Sequence, residues 1–215
     1  YFSKKTLKLL KTKNKLVFKK RISKKNIELI KKLKPDVILV IYWRYILNEI
    51  LFKIPRCGCL NFHMGYLPFN RGKNPNVWPI IEGTPAGCTI HKVDKGIDSG
   101  GIICQKKTKF NYLDTGQTLY NKILNDFENL FYKNWNKMKK NKFKASKQNL
   151  KKGNFHLSKD FEKISEIDLN KKYYPLDLIN ILRAKTFKPH KPAYFKLKNR
   201  KYFIDIKLSK NSFSK

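Results

Sequence analysis

The chain has 215 residues, enough for one sizeable core or a main domain with a small appendage. Hydrophobic residues at 41% and aromatics at 13% exclude a disordered tail as the main content, and no run of about 18 apolar residues is present to span a membrane. The formal charge of +34 invites a nucleic-acid reading, yet only six of the 49 basic residues are Arg (21, 44, 56, 71, 183 and 200), so it reads as a Lys-rich bias on solvated faces that also draws anionic substrates.

The chain opens on Tyr1, in a helix-like segment, without the apolar stretch of a signal peptide, so the cytoplasm is the expected location. A helix is predicted over 23–36, with Ile27, Leu29, Ile30 and Leu33 on one face and Pro35 as its stop. "VILVIYW" (37–43) follows as a buried strand, the α-then-β step of a parallel sheet. A short helical piece, "LNEILFKIP", leads to the strand "CGCLNFH" (57–63) and an irregular loop. "VWPIIEG" is a short helix stopped by Gly83. Strands are predicted over 86–94 and 100–110, around the turn "KGIDSG". Residues 118–138 form a long amphipathic helix with Leu119, Ile123, Phe127, Phe131 and Trp135 at four-residue spacing. The Lys-rich stretch 141–160 reads as a linker or an extended arm, and 161–215 as a small helix and hairpin region. The fold class is α/β: a Rossmann-like core over 1–140 with a mainly parallel sheet, plus a small C-terminal α+β appendage. A doubly wound domain opens on a strand and a ligand-binding turn, and nothing before residue 36 provides them, so an N-terminal portion is expected to be missing.

Chemistry concentrates in "CLNFHMGYLPFNRGKNPNVW" (59–78), for which a catalytic site, a metal site and an ordinary turn are the three readings. Asn61 and His63 lie two apart on a strand and leave from the same face. An amide donor beside an imidazole suits an oxyanion and a moving proton. Asp98, between Gly96 and Gly100, is the carboxylate able to orient the imidazole. An Asp between glycines is also an ordinary turn former. The four cysteines (57, 59, 88, 104) show no C-x-x-C spacing and read as reduced, buried residues, so no metal is expected. No nucleophile elbow or phosphate-binding glycine loop is present.

"NFHMGYLPFNRG" followed by "TPAGCTIHKVDKGIDSGGII" resembles the formyltransferases that use N10-formyltetrahydrofolate. The matching positions, within 35–110, are Asn61, His63, Leu67, Pro68, Gly72, Gly87, Thr89 and Asp98. "RGKNPNVWPIIEG" and "INILRAKTFKPHKPAYF" look most like members that formylate nucleotide-linked amino-dideoxy sugars, an activity associated with O-antigen synthesis. The resemblance implies a folate cosubstrate and catalysis by Asn61, His63 and Asp98. It implies folate contacts at Arg44, Tyr45, Ile46, Val93, Asp94, Gly96 and Asp98, and acceptor contacts at Asn70, Arg71, Lys73 and Asn76. Trp78 reads equally as core. The partners expected are a small nucleotide sugar and, through the C-terminal hairpin, a second copy of the chain, with neither membrane nor nucleic acid. Two other readings stay open: methionyl-tRNA as the acceptor, and a basic nucleic-acid-binding module in which the loop is structural.

Overall fold

The computed structural model describes residues 17–211, and the helix-like opening of the chain lies outside them. Ser23 starts helix α1 (Lys24–Leu33) with reciprocal bonds to Asn26, and Lys34 ends it in the left-handed conformation just before Pro35. Ile27 and Ile30 are buried in a small cluster with Leu51, while Leu29 and Leu33, predicted on the same face, stay 42% and 51% exposed because only the i, i+3 pair meets that cluster. The elements that follow are β1 (Ile38–Ile41), α2 (Glu49–Lys53), β2 (Cys59–His63), β3 (Arg71–Gly72), α3 (Trp78–Glu82), β4 (Gly87–Lys92) and β5 (Ile102–Lys107). The long helix α4 (Gly116–Lys139) comes next, then β6 (Phe155–His156), α5 (Ser158–Lys163), α6 (Pro175–Lys185), β7 (Ala193–Leu197) and β8 (Arg200–Ile204).

The main described sheet has the order β1-β2-β4-β5. β1 and β2 run parallel, as the α-then-β order implies, whereas β2/β4 and β4/β5 are antiparallel, so the described sheet is mixed. Only nine residues join β4 to β5, fewer than the dozen or so a parallel crossover needs.

Period-2 alternation gives this sheet its division of labour. Leu60 and Phe62 of β2 and Cys88 and Ile90 of β4 face α4, where Leu119, Ile123, Phe127 and Phe131 are fully buried. The Phe62 and Phe127 rings meet edge to face at 5.0 Å. Asn61, His63, Thr89 and His91 are therefore left on the opposite face. Thr115 caps α4 reciprocally with Thr118, which explains why the helix starts two residues earlier than its apolar periodicity shows.

Residues 141–160 are anchored to the core at several points. Ser146 exchanges backbone hydrogen bonds with Ile102, and β6 pairs with β3. Its polar side chains tie down loop backbones, a use that composition does not distinguish from solvation. At the C-terminus, α6 packs so closely on the start of α4 that a Cβ at Gly116 would lie 2.1 Å from the Ala184 carbonyl. Lys198 and Asn199, both at positive φ, close the β7–β8 hairpin.

Candidate active site

The antiparallel register sets His91 opposite Asn61 and Thr89 opposite His63. Asp98 reaches this face from the β4–β5 turn. Its Oδ1 accepts from Asn61 Nδ2 (2.9 Å) and its Oδ2 from the Gly72 N–H (2.9 Å). The backbone at Asp98 is left-handed (φ 50), which Asp tolerates better than most residues. Gln148 Nε2 donates to the carbonyls of Asp98 and Gly100, fastening the turn from the stretch predicted as linker.

A carbonyl partner fixes one N–H on each imidazole. His91 Nδ1–H donates to the Lys92 carbonyl (2.8 Å), leaving Nε2 to accept from Asn61 Nδ2 (3.1 Å). Both Asn61 amide hydrogens are thereby used, so an oxyanion at Asn61 must displace Asp98 or His91. His63 Nε2–H donates to the Asn70 carbonyl (2.8 Å), and its Nδ1 faces Asp98 Oδ2 at 3.4 Å. Burial lowers the His63 pKa below its ordinary value, against the pull of the Asp98 carboxylate. The resting imidazole is neutral, and Nδ1 is a vacant proton seat beside a carboxylate. Burial works to raise the Asp98 carboxyl, but the imidazoles of His63 and His91 in their protonated forms and the Gly72 N–H hold it well below the usual carboxylate range.

Both shifts have the same consequence for stability. A neutral buried His63 stabilises the fold fully above the unfolded histidine pKa of about 6.5, and an ionised Asp98 does so above the unfolded carboxyl pKa of about 3.9. Thermal melts from pH 8 to pH 3 are expected to show a flat stretch, a decline below about pH 6.5 and a steeper one below about pH 4. Equal melting temperatures at pH 7 and pH 4 would contradict this.

The loop after β2 is built to hold His63. Thr89 Oγ1 donates to the Gly65 carbonyl (2.7 Å) and accepts from the Leu67 N–H (3.1 Å), and Gln105 Nε2 donates to the Leu67 carbonyl (3.0 Å). A Cβ on Gly65 would lie 2.6 Å from His63 Nε2, so the ring requires glycine there. Asn70 is fully buried: its Nδ2 donates to the Pro85 carbonyl, its Oδ1 accepts from Thr84 and Asn154, and its N–H donates to Asn154 Oδ1. Asn76 is buried too, donating to the Gly116 carbonyl (3.1 Å). Asn70 thus acts as a strut of the loop, whereas Asn76, though buried, also lines a cavity beside the C-terminal hairpin.

Of the other predicted contacts, Lys73 is exposed and Arg71 half-buried, its guanidinium over the Phe155 ring. Arg71 Nε is buried without a hydrogen-bond partner among the described residues. Trp78 is core, stacked on His156 at 3.8 Å. Arg44, Tyr45 and Ile46 lie exposed after β1, Ile46 at 91%. The Lys95–Glu49 ion pair (3.2 Å) ties the end of that segment to the acidic turn. Val93 extends the sheet through its N–H to the Cys59 carbonyl, and Asp94 caps the turn by accepting from Gly96 N–H and Ser99 Oγ, the ordinary role of such an Asp. His91 was not predicted; the alternation of Cys88 and Ile90 with Thr89 and His91 is the signal that finds it. Among the described residues no His, Cys, Asp and Glu cluster is arranged to hold a metal ion, and no helix is long and apolar enough to cross a membrane.

The family model described as Formyl transferase matches residues 3–134, more than half of the chain. The model described as N-formyltransferase dimerization C-terminal domain matches residues 160–210. A dTDP-4-amino-4,6-dideoxyglucose formyltransferase of Mycobacterium bovis is 32% identical over 70% of the chain and 64% of its own length. The chain thus spans less than two thirds of that relative. A 4-N formyltransferase structure from Francisella tularensis is 33% identical with a TM-score of 0.80, covering 87% of this chain and 76% of that one. A formyltransferase from Anoxybacillus kamchatkensis, solved with UDP-4,6-dideoxy-4-formamido-L-AltNAc and tetrahydrofolate, is 29% identical with a TM-score of 0.61, over 84% of this chain and 92% of that one. Methionyl-tRNA formyltransferases match as well. With its Asn61, His63 and Asp98 gathered on one sheet face, the chain belongs to the formyl transferase family.

Proposed function

We propose that the chain transfers a formyl group from N10-formyltetrahydrofolate to the amino group of a nucleotide-linked amino-dideoxy sugar, in the cytoplasm. The observation that carries this reading is the neutral His63 with Nδ1 turned to the ionised Asp98. The amine nitrogen attacks the formyl carbon, a C–N bond forms, and the proton released goes to His63 Nδ1, where Asp98 balances the new charge. Collapse of the tetrahedral adduct breaks the bond to folate N10, which takes the proton. The exposed Tyr45, Ile46 and Ile97, on two segments tied by Lys95 and Glu49, offer the folate ring an apolar slot. Exposed Leu197 and Tyr202 on the hairpin suit pairing with a second copy.

The test is an absorbance assay of tetrahydrofolate release with N10-formyltetrahydrofolate and a dTDP- or UDP-linked 4-amino-4,6-dideoxy sugar. Release is expected with the amino sugar and none with the matching 4-hydroxy sugar. Release driven instead by methionyl-tRNA would overturn the sugar as acceptor.

A further inference from the structure

A cavity of about 400 Å³ lies between the loop after β3, the end of α6 and the β7–β8 hairpin. That is within the roughly 300–1,000 Å³ usual for small-ligand sites. None of Asn61, His63, His91 and Asp98 lines it. Lys185 does, and it is only 5% exposed. Its Nζ donates to Ser165 Oγ (2.7 Å) and sits 3.4 Å from the centre of the Phe161 ring. Among the described residues no carboxylate pairs with it, and burial alone pulls its ammonium down to about 8. A buried cation without a counter-charge is costly, and a bound anion removes that cost.

The rest of the lining points the same way. Lys191 and Lys201 join Lys185, no Asp or Glu contributes, and Phe187 and Phe203 supply flat apolar walls. Cations beside aromatic faces suit a molecule that carries phosphates at one end and a stacking base at the other. The cavity is also within reach of the transfer centre. The Gly72 N–H touches Asp98 (2.9 Å), and Asn74, on the cavity lining, follows two residues later, at most about 7.6 Å of chain away. A hexose and a diphosphate bridge such a gap.

We infer that this cavity holds the nucleoside diphosphate half of the acceptor, with Lys185 on the diphosphate and Phe187 and Phe203 flanking the base. The inference rests on the nucleotide-linked acceptor proposed above. Calorimetric titration of the full chain with dTDP, with UDP and separately with tetrahydrofolate tests it. At least one diphosphate is expected to bind, and Lys185→Met to weaken it roughly 30-fold or more while tetrahydrofolate binds as before. Lys185→Arg keeps the charge and is expected to retain most of the affinity. The surface pair Lys191→Gln with Lys201→Gln weakens it in the same direction and supplies the answer if Lys185→Met does not fold. Wild-type affinity in the Met variant, or no diphosphate binding at millimolar concentration, overturns the assignment. Lys185-dependent binding without formyl transfer would instead sink the proposed reaction and leave the cavity standing. Transfer with an unchanged acceptor KM in Lys185→Met would do the reverse.

Discussion

Asp98→Asn is expected to lower the rate of formyl transfer by about 10²- to 10⁴-fold, the range spanned by positioned proton-transfer groups. Asn keeps the left-handed backbone at this position, so the turn still forms. It presents an amide nitrogen where Asp98 now accepts from either Asn61 or the Gly72 N–H, setting donor against donor at one of the two. It also removes the charge that stabilises a proton on His63 Nδ1. His63→Ala removes the seat itself and is expected to cost a similar factor, and the double variant little more, because the two act as a unit. Single-turnover kinetics at saturating folate make the comparison. Turnover within tenfold of wild type in Asp98→Asn would show that the proton leaves by another route.

Phe127→Ala should unfold the protein more readily without touching this chemistry. Phe127 is fully buried in the middle of α4, and its ring edge meets Phe62 on the strand that carries Asn61 and His63 on its other side. Truncating such an aromatic costs about 3–5 kcal/mol. For a chain of this size that lowers the melting temperature by roughly 6 to 20 °C. Differential scanning calorimetry decides it, and a loss below about 3 °C would mean that the core collapses around the gap.

What the sequence displayed was whatever periodicity or local chemistry announces. The four-residue stripe of α4 and the stops at Pro35 and Gly83 were legible because each acts within a few residues of itself. Asn61, His63 and Asp98 were legible as residue types in a recognisable order. His91 was not, because its place opposite Asn61 depends on antiparallel pairing, which strand patterns do not specify. The inward bonds of Asn70 were not legible, because a loop asparagine near a site looks the same whether its amide faces solvent or is spent on Pro85, Thr84 and Asn154. The antiparallel half of the sheet escaped notice for a related reason: the α-then-β order of its first strands does not reveal that a short turn follows β4.

The stretch 141–160 bears on how the protein comes into being on the ribosome. A nascent chain that has emerged as far as Met138 already contains every residue of the main buried cluster except Ala184. It has neither Gln148, which clamps the Asp98 turn, nor Asn154, which braces the loop above His63. Such an intermediate can bury its apolar surface while its acid and base still wander, so competence is the last property the growing polypeptide acquires.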